Sequence, residues 1–410
     1  MPAHSLPLPL VLDYSGDITA EDENGIILAL KEHDRVRRVR LELPVLQLQN
    51  LMLMVPIDEE YPVLEYLIIL PPTSDRSGTL MLPETLQAPH LRYLALKGVA
   101  LPIGSRLLTT ALSLVTLCLS MDYQSIYYFM PSTLLQWISF MPQLETLVII
   151  ADFSSAVVRQ LMPALIVTQV TLPNLRLLEF RGFSAYLEAV VCQIATPYLQ
   201  KLVTYFPSTV SVPRLLEFLN STENLRFHSA KFVFSWDEVH VEASPPEAEM
   251  YSLSMHVHCE DLDEQARSMA QIFNSPSQIL STVQHLTFKH NVQYSLSEGD
   301  DNVGHTLWHR LNRLFKNDHP EWRQLVRLFS NLKTLRVDDE LVQELSCGLR
   351  LDEGEHPLAL LPELQELTVL TYSGDCDTGD AFTYFIDTRQ KAGRPVTLVH
   401  SGPEIVTPLS

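Results

Sequence analysis

The chain has 410 residues, of which 46% are hydrophobic and 19% are charged. This composition supplies apolar surface for an extensive core and excludes wholesale disorder. The 29 basic and 49 acidic residues leave a formal net charge of −20. Because nucleic acids and anionic membranes bind surfaces rich in Lys and Arg, this balance argues against both. We therefore expect no nucleic-acid partner and no membrane partner.

The cysteines and the amino terminus bear on the cellular compartment. Five cysteines occur without a Cys-x-x-Cys pair, so the pattern predicts neither a disulfide framework nor a zinc site. The first twelve residues are apolar but lack the basic start and the cleavage site of a signal peptide. No run of 18 apolar residues occurs. We therefore expect an intracellular protein, cytoplasmic or nuclear.

A short unit, Pro-x-Leu-x-x-Leu, recurs along the chain. Its six copies begin at Pro62, Pro89, Pro142, Pro173, Pro197 and Pro362. Four related copies without the proline begin at Val36, Leu114, Val283 and Leu332. From position 36 to position 199 the intervals average about 27 residues, which is within the range of leucine-rich repeats.

The repeat predicts a particular fold. Its last apolar positions alternate with polar ones, which is typical of a short strand with one buried face. Between the strands, 131–140 and 184–194 have helical periodicity. Such units bury their apolar faces only when stacked. We therefore predict an α/β fold, an irregular leucine-rich-repeat solenoid that is horseshoe-like, with parallel strands on the concave face and helices on the convex face.

We interpret the whole chain, 1–410, as one such solenoid. The predicted parts are regular repeats at about 36–205, degenerate repeats at 206–290, a helical insertion at about 291–329, and final repeats with a C-terminal cap at 330–400. Residues 232–266 contain nine acidic residues and no Lys or Arg. This stretch predicts a solvated loop, and its charge would attract a basic partner. Tyr251–Cys259 within it alternates as a strand does.

Several segments resemble the leucine-rich-repeat regions of F-box-like proteins that are expanded in mushroom-forming fungi. The resemblance is carried by YPVLEYLII at 61–69, LPETLQAPHLRYLALKG at 82–98, LLQWISFMPQLETLVI at 134–149 and FSNLKTLRVDD at 329–339. It implies a repeat fold and a role in protein recognition, as the substrate receptor of a ubiquitin ligase.

Relatives of this kind carry an F-box helical segment ahead of the repeats, which docks on a Skp-type adaptor. Here Leu82-Pro-Glu-Thr-Leu86 is similar to an F-box opening, but a repeat beginning at Pro89 follows it at once. We therefore expect 82–86 to be a loop between repeats and the F-box to be missing. The resemblance implies a Skp-type partner only if an F-box is supplied upstream.

No motif in the sequence predicts catalysis or a bound metal. The chain has no Gly-x-Ser-x-Gly elbow and no glycine-rich phosphate loop. The stretch from Asp375 to Asp380 lacks the glycine and the glutamate of a calcium loop, so we predict a turn before a helix 381–391 capped by Asp380. His305 and His309 are four residues apart, but no third ligand accompanies them. We expect no enzyme activity, no metal and no cofactor.

The remaining candidate function is binding by the strands. Residues that alternate with the buried leucines point away from the core, so we expect them to form the concave binding face. The predicted face consists of Arg38, Arg40, Tyr66, Tyr93, Lys97, Glu179, Arg181, Lys201, Tyr205, His285, Lys289 and Arg336. Tyrosine and arginine are enriched at protein–protein interfaces, so the composition of this face predicts a protein target. The identity of that target is unknown. The alternatives are a repeat scaffold or regulator without a ubiquitin role and, more distantly, a hydrolase without a recognisable motif.

Overall fold

The structure is a computed structural model. It describes residues 8–54, 60–72, 80–121, 129–151, 169–208, 211–222, 224–246, 251–274, 279–291, 319–352, 354–371 and 380–402. The chain divides into two compact units, Met1–Thr204 and Tyr205–Ser410. Each unit is described by itself.

The first unit is built on a sheet whose strands follow one another in chain order. The strands are β1 (Leu10–Ser15), β2 (Val36–Glu42), β3 (Tyr66–Ile69), β4 (Leu80–Met81), β5 (Tyr93–Lys97), β6 (Val99–Ala100), β7 (Thr116–Met121), β8 (Thr146–Ala151), β9 (Val170–Thr171), β10 (Leu177–Arg181), β11 (Ile194–Ala195) and β12 (Lys201–Phe206). The main sheet has the order β1-β2-β3-β5-β7-β8-β10-β12, while β4 pairs with β6 and β9 with β11. From β1 to β10, each neighbouring pair in the main sheet is parallel.

Helices occur in the connections of this unit. They are α1 (Ala20–Lys31), α2 (Val45–Met54), α3 (Arg106–Thr110), α4 (Pro131–Ile138) and α5 (Ser184–Val191). The predicted helical segments 131–140 and 184–194 are confirmed by α4 and α5. Thr19 begins α1 with a capping box, because its side chain accepts from the Asp22 backbone while Asp22 accepts from the Thr19 backbone.

A tight turn precedes most repeat strands and explains the proline. In each case the first leucine of the repeat donates its backbone N–H to the carbonyl three residues earlier, as Leu64 does to Tyr61 and Leu144 to Met141. The proline is the second residue of this turn, where its fixed φ is favourable. The same bond is made by Leu91, Leu175, Leu199 and Leu364 in the other copies with proline, and by Leu114 and Val283 in copies without it.

The core of the first unit lies between the helices and one face of the sheet. Leu94, Leu117 and Leu147 occupy the same position on adjacent strands and are fully buried. Helix side chains cover this face, since Tyr186 on α5 stacks on Phe180 of β10 with 6.1 Å between ring centroids. The other face of the sheet is open. The strand register therefore aligns buried leucines in rows on one face of the sheet and variable residues in rows on the open face.

The second unit contains a sheet with a different order. Its strands are β13 (Ser229–Phe234), β14 (Glu238–Ser244), β15 (Leu253–His258), β16 (His285–His290), β17 (Thr334–Asp338), β18 (Glu366–Leu370) and β19 (Thr397–Ser401). Their order is β15-β14-β13-β16-β17-β18-β19. Its helices are α6 (Pro213–Ser221), α7 (Leu262–Phe273), α8 (Pro320–Val326), α9 (Val342–Gly348) and α10 (Thr383–Lys391), with 3₁₀ turns at Ile279–Thr282 and Asp339–Leu341.

One strand of this sheet corrects the prediction of parallel strands. β14 is antiparallel to both β13 and β15, whereas β13 and β16 to β19 are parallel. The prediction of a solvated loop at 232–266 was also wrong, because this stretch forms the end of β13, all of β14 and β15, and the start of α7. Its apolar residues alternate with the acidic ones, so Val239 and Val241 are buried while Glu238 and Glu242 lie on the open face.

Aromatic residues fill the core of the second unit. Phe232 on β13 and Phe288 on β16 meet edge to face at 5.6 Å. Trp322 on α8 covers Phe234 at 4.9 Å and Phe288 at 5.8 Å. Helix residues therefore cover the inward face of this sheet, and residues such as Lys231 and Arg336 remain on the other face.

All ten repeat copies found in the sequence coincide with strands of the two sheets. The predicted strand at 251–259 is confirmed by β15, and 82–86 is the expected loop. The helix predicted at 381–391 begins at Thr383 and has no side-chain cap; Asp380 instead accepts the Thr383 N–H through its carbonyl, which makes a turn. Of the predicted insertion, 292–318 lies outside the described residues. The proposed part boundaries and the single solenoid stay predictions.

Candidate interaction surface

All twelve predicted face residues lie on strands, at positions that alternate with buried residues. In the first unit, strand register aligns the open positions into three rows. The first row contains Val11, Arg38, Tyr66, Tyr93, Thr116, Thr146 and Leu177. The second contains Asp13, Arg40, Ile68, Ala95, Cys118, Val148 and Glu179, and the third contains Lys97, Ser120, Ile150 and Arg181. We call this surface the first open face.

One margin of the first open face is a network of charges. Arg40 donates to Glu42 on its own strand at 2.7 Å. Asp13 on β1 lies 3.9 Å from the Arg40 guanidinium and 3.7 Å from that of Arg38. Two arginines and two carboxylates thus balance one another, and the partly exposed ion pairs contribute little to folding stability. These side chains could therefore replace their present ion pairs with ion pairs to a bound protein.

An aromatic pair lies next to this margin. The rings of Tyr66 and Tyr93 occupy adjacent positions, with 6.1 Å between centroids and an interplanar angle of 30°. The Tyr93 hydroxyl is 4.0 Å from the Cys118 sulfur. Burial raises the pKa of Tyr93, and the Cys118 thiol raises it further. Tyr66 remains 38% exposed, so the pair presents apolar surface together with hydroxyl groups.

The centre of the first open face is mostly aliphatic. Ile68, Ala95 and Val148 share the second row with Cys118. Burial raises the pKa of the Cys118 thiol, an effect that the Tyr93 bond opposes and Glu179 reinforces. A thiol with a raised pKa holds its proton and is a poor nucleophile.

Two cations lie on the far side of this centre. Lys97 on β5 and Arg181 on β10 belong to the third row and are three strands apart, about 14 Å at the usual strand spacing. Within the described ranges neither side chain forms an ion pair. Ile150 lies on the strand between them. Lys97 and Arg181 would therefore lie next to any apolar group that a partner packs against the centre of this face.

The open face of the second unit is more polar. His285 Nδ1 is 2.8 Å from the Thr334 hydroxyl on the neighbouring strand, and its ring meets His228 edge to face at 4.9 Å. Burial lowers the pKa of His285, and His228 lowers it further. Arg336 and Lys289, also predicted for the face, lie on β17 and β16. Arg336 is exposed.

Sequence reasoning missed a stack of three rings on this second face, all of them in the second unit, which begins at Tyr205 within β12. Tyr205 stacks on His256 at 4.2 Å between centroids, and His256 stacks on His240 at 3.8 Å. Glu238 lies 3.8 Å from His256, and Glu242 lies 3.8 Å from His240. Burial and the His256 ring lower the pKa of His240 to about 4. The pairing of His240 with His256 across antiparallel strands depends on β14, which the repeat pattern does not reveal.

A groove of about 1010 Å³ along the edge where the first-unit strands begin was also missed. The residue after the repeat proline and the residue after the first leucine line it, as Val63 and Glu65 show. Arg37 pairs with Glu65 there at 3.0 Å, while Arg92 is exposed on the next strand. The signal was present in the sequence, since the first two of the three variable positions of Pro-x-Leu-x-x-Leu line the groove in three copies, at 63 and 65, 90 and 92, and 143 and 145.

In the part of the chain that the structure describes, no group of three or more His, Cys, Asp or Glu side chains is arranged to hold a metal ion. The candidates His305 and His309, and the stretch 375–379, lie outside the described residues. None of the described helices combines the length and the apolar character needed to cross a membrane.

The order and register of the strands, together with the repeat, define a leucine-rich-repeat fold of the α/β class. Among solved structures, the chain is similar to the leucine-rich-repeat-containing protein LegL7 from Legionella pneumophila, at 12% identity and a TM-score of 0.30, covering 95% of this chain and 99% of that chain. It is also similar to TLR13 in a TLR13–ssRNA13 complex, at 13% identity and a TM-score of 0.30, covering 90% of this chain. The chain spans 44% of that TLR13 chain. No protein-family model and no curated protein matches the sequence.

Proposed function

We propose that this leucine-rich-repeat protein is a protein-recognition module whose open strand faces bind a protein partner. The observation that carries the proposal is the first open face, where Tyr66 and Tyr93 adjoin an aliphatic centre with arginines at its margin. Tyrosine and arginine are enriched at the energetic centres of protein interfaces. The binding roles of all twelve predicted face residues belong to this proposal.

A finer form of the proposal is target recognition by an F-box-type ubiquitin-ligase substrate receptor inside the cell, with a Skp-type adaptor bound through an F-box supplied upstream. Its support is the resemblance of the repeat segments, such as 61–69 and 82–98, to fungal F-box-like proteins. The alternative is a stand-alone scaffold or regulator without a ubiquitin role. Both forms use the same open faces.

The proposal also assigns no enzymatic activity to the open faces. The thiol at the centre of the first open face, Cys118, holds its proton because burial raises its pKa. Tyr93 beside it is likewise kept protonated by burial. A binding role thus accounts for this centre better than hydrolysis does.

The test is an affinity purification of the full chain from cells, followed by quantitative mass spectrometry. The double variant Tyr66→Ala/Tyr93→Ala is compared with Tyr384→Ala, which removes an exposed tyrosine from α10 instead. We expect the double variant to lose at least about 90% of the specifically recovered partner, because two truncated interface anchors cost several kcal/mol. The control variant keeps the partner.

Equal recovery by the double variant and by the unmodified chain would reject the open face as the binding surface. The same samples separate the two finer forms. Recovery of a Skp-type adaptor and a cullin supports the ligase receptor, and their absence from a preparation that retains the partner supports the scaffold.

A further inference from the structure

An exposed tryptophan stands out at the turn between β13 and β14. Trp236 is 69% exposed, whereas Trp137 and Trp322 are at most 1% exposed. Tryptophan has the largest apolar surface of any side chain and contributes strongly to interfaces when it becomes buried there. Its position in an otherwise well-packed unit points to a partner that covers it.

The turn that carries Trp236 is held rigidly. Ser235 donates its N–H to the Glu238 carbonyl at 2.9 Å, and the Glu238 N–H donates back to the Ser235 hydroxyl at 3.2 Å. Gln265 on α7 donates to the Ser235 carbonyl at 2.8 Å, and Cys259 donates to the Asp237 carbonyl at 2.8 Å. Because the backbone on both sides of Trp236 is fixed, binding through this ring costs little ordering entropy.

Carboxylates surround the turn. Asp237 and Glu238 follow Trp236 directly, and the Cys259–Asp237 bond brings the exposed Glu260 beside them. Asp261, whose side chain caps α7 by accepting from the Glu264 N–H at 2.7 Å, extends the acidic surface. The turn thus carries an exposed indole and adjacent carboxylate residues, a combination of groups that suits a cationic side chain.

The nearest basic residues along the chain do not neutralise this surface. Lys231 is bound to Glu242 at 2.9 Å, and Arg267 is bound to Glu321 at 2.6 Å. Residues 232–266 contain no Lys or Arg at all. Two histidines approach these carboxylates, His256 at 3.8 Å from Glu238 and His258 at 4.0 Å from Asp237. Among the described residues no Lys or Arg pairs with them, which leaves a permanent positive charge for a partner to supply.

We propose that Trp236, Asp237, Glu238 and Glu260 form a docking site for a basic segment of a partner protein, with an arginine or lysine side chain placed over the indole ring. A basic segment complements the negative charge of these carboxylates, and its arginine or lysine side chain can form a cation–π contact with the tryptophan ring. This site is separate from the first open face, and the proposal does not depend on recognition by the tyrosine pair.

The test uses the full chain and a fluorescein-labelled octapeptide of alternating Gly and Arg, with binding followed by fluorescence anisotropy at low salt. A Gly-Glu peptide of equal length is the control ligand. We expect Trp236→Ala to weaken Gly-Arg binding about tenfold and Trp236→Phe to restore most of it, since cation–π contact and packing are lost in the first and largely kept in the second.

A second comparison separates this site from the general attraction of a chain with charge −20. Asp237→Asn/Glu238→Gln removes two charges at the site, and Glu21→Gln/Glu23→Gln removes two from α1. We expect about tenfold weakening for the first pair and less than about twofold for the second. Equal weakening by both pairs, unchanged affinity of Trp236→Ala, or no wild-type binding up to about 1 mM peptide would each overturn the proposal.

Discussion

Arg389 on α10 illustrates how single residues secure this fold. Its side chain is 1% exposed and, among the described residues, forms no ion pair with a carboxylate; its guanidinium donates to the carbonyls of Leu360, Leu361, Pro362 and Leu364, at 3.5, 2.9, 3.1 and 3.1 Å. Burial lowers the pKa of Arg389. These carbonyls belong to the turn that begins the last repeat, so the residue ties the C-terminal helix to the entry of β18.

Arg389→Ala would remove the guanidinium donor from these four carbonyls, of which that of Leu361 still accepts the Leu364 N–H. We expect it to lower the free energy of unfolding by about 3 kcal/mol or more, because unsatisfied buried polar groups are costly. Arg394→Ala is the control, since Arg394 is exposed and pairs only loosely with Glu363 at 3.7 Å. Urea unfolding followed by circular dichroism measures both, and equal midpoints for the two variants would contradict the structural role of Arg389.

Arg336 is the residue of the second unit that tests the proposed binding role of its open face most directly. It is exposed on β17, on the face opposite the buried Leu335 and Val337. We expect Arg336→Ala to weaken binding of the recovered partner about five- to tenfold while the melting temperature stays unchanged. Titration of the purified partner and a thermal melt measure the two quantities, and unchanged affinity would argue against a contribution of this face.

Among the strands and helices, the close approach of the Gly182 backbone to Ala151 on β8 explains why a glycine is required there. Gly182, between β10 and α5, has a φ of +147°, and a Cβ added there would lie 2.8 Å from both the Cβ and the carbonyl oxygen of Ala151. We expect Gly182→Ala to destabilise the fold by about 2 kcal/mol, through strain at this φ and displacement of β8.

Gly25 provides the matched control. It lies inside α1 with nothing within 4 Å of an added Cβ. Gly25→Ala should therefore stabilise the protein by about 0.5–1 kcal/mol, as expected for helix propensity. Opposite shifts of the urea midpoint are predicted, and stabilisation by Gly182→Ala would contradict the close approach.

The antiparallel pair β14–β15 makes stability depend on pH. Burial and the neighbouring His256 lower the pKa of His240 to about 4 from its ordinary 6.5, while Glu242 opposes and Lys231 reinforces the shift. Between these values the unfolded chain binds more protons than the folded chain, so stability falls as the pH decreases. The stabilisation is complete above about pH 6.5.

His240→Gln should reduce this pH dependence. We expect the unfolding midpoint of the variant to change less between pH 7 and pH 5 than that of the unmodified chain. His258→Gln, which alters a histidine that is 52% exposed on the same strand pair, is the control. A variant with the same slope as the unmodified chain would contradict the role assigned to the His240–His256 stack.

The sequence pattern reveals strands but not their direction. All ten copies of the repeat lie on strands, because an alternation of buried leucines and open residues has few other solutions. The alternation is the same in parallel and antiparallel strands, so the direction of β14 could not be predicted, although its alternating Val239 and Val241 already indicated a strand. For the same reason the ring stack of Tyr205, His256 and His240, which requires the order of β14 and β15, could not be predicted.

For the whole molecule, the sequence-based interpretation as one solenoid stays a prediction, and it would account for the length of the chain. A single compact core rarely serves 410 residues, whereas stacked repeats share a core only with their neighbours. Part of the net charge of −20 lies on the open side of β14, where Glu238 and Glu242 are found. Open positions of both units also carry basic and aromatic residues, such as Arg38 and Tyr66 in the first and Arg336 and Tyr205 in the second.

The central claim is that the open strand faces are where a partner binds. Site-specific photo-crosslinking in cells tests this claim without knowledge of the partner. A benzophenone amino acid is placed at Thr116 or Thr146 on the first open face, and at Leu28 on α1 or Leu112 as exposed controls away from it. We predict ultraviolet-dependent adducts of one defined mass from both face positions and from neither control. Adducts only from the control positions, or equally from all four, would contradict the claim.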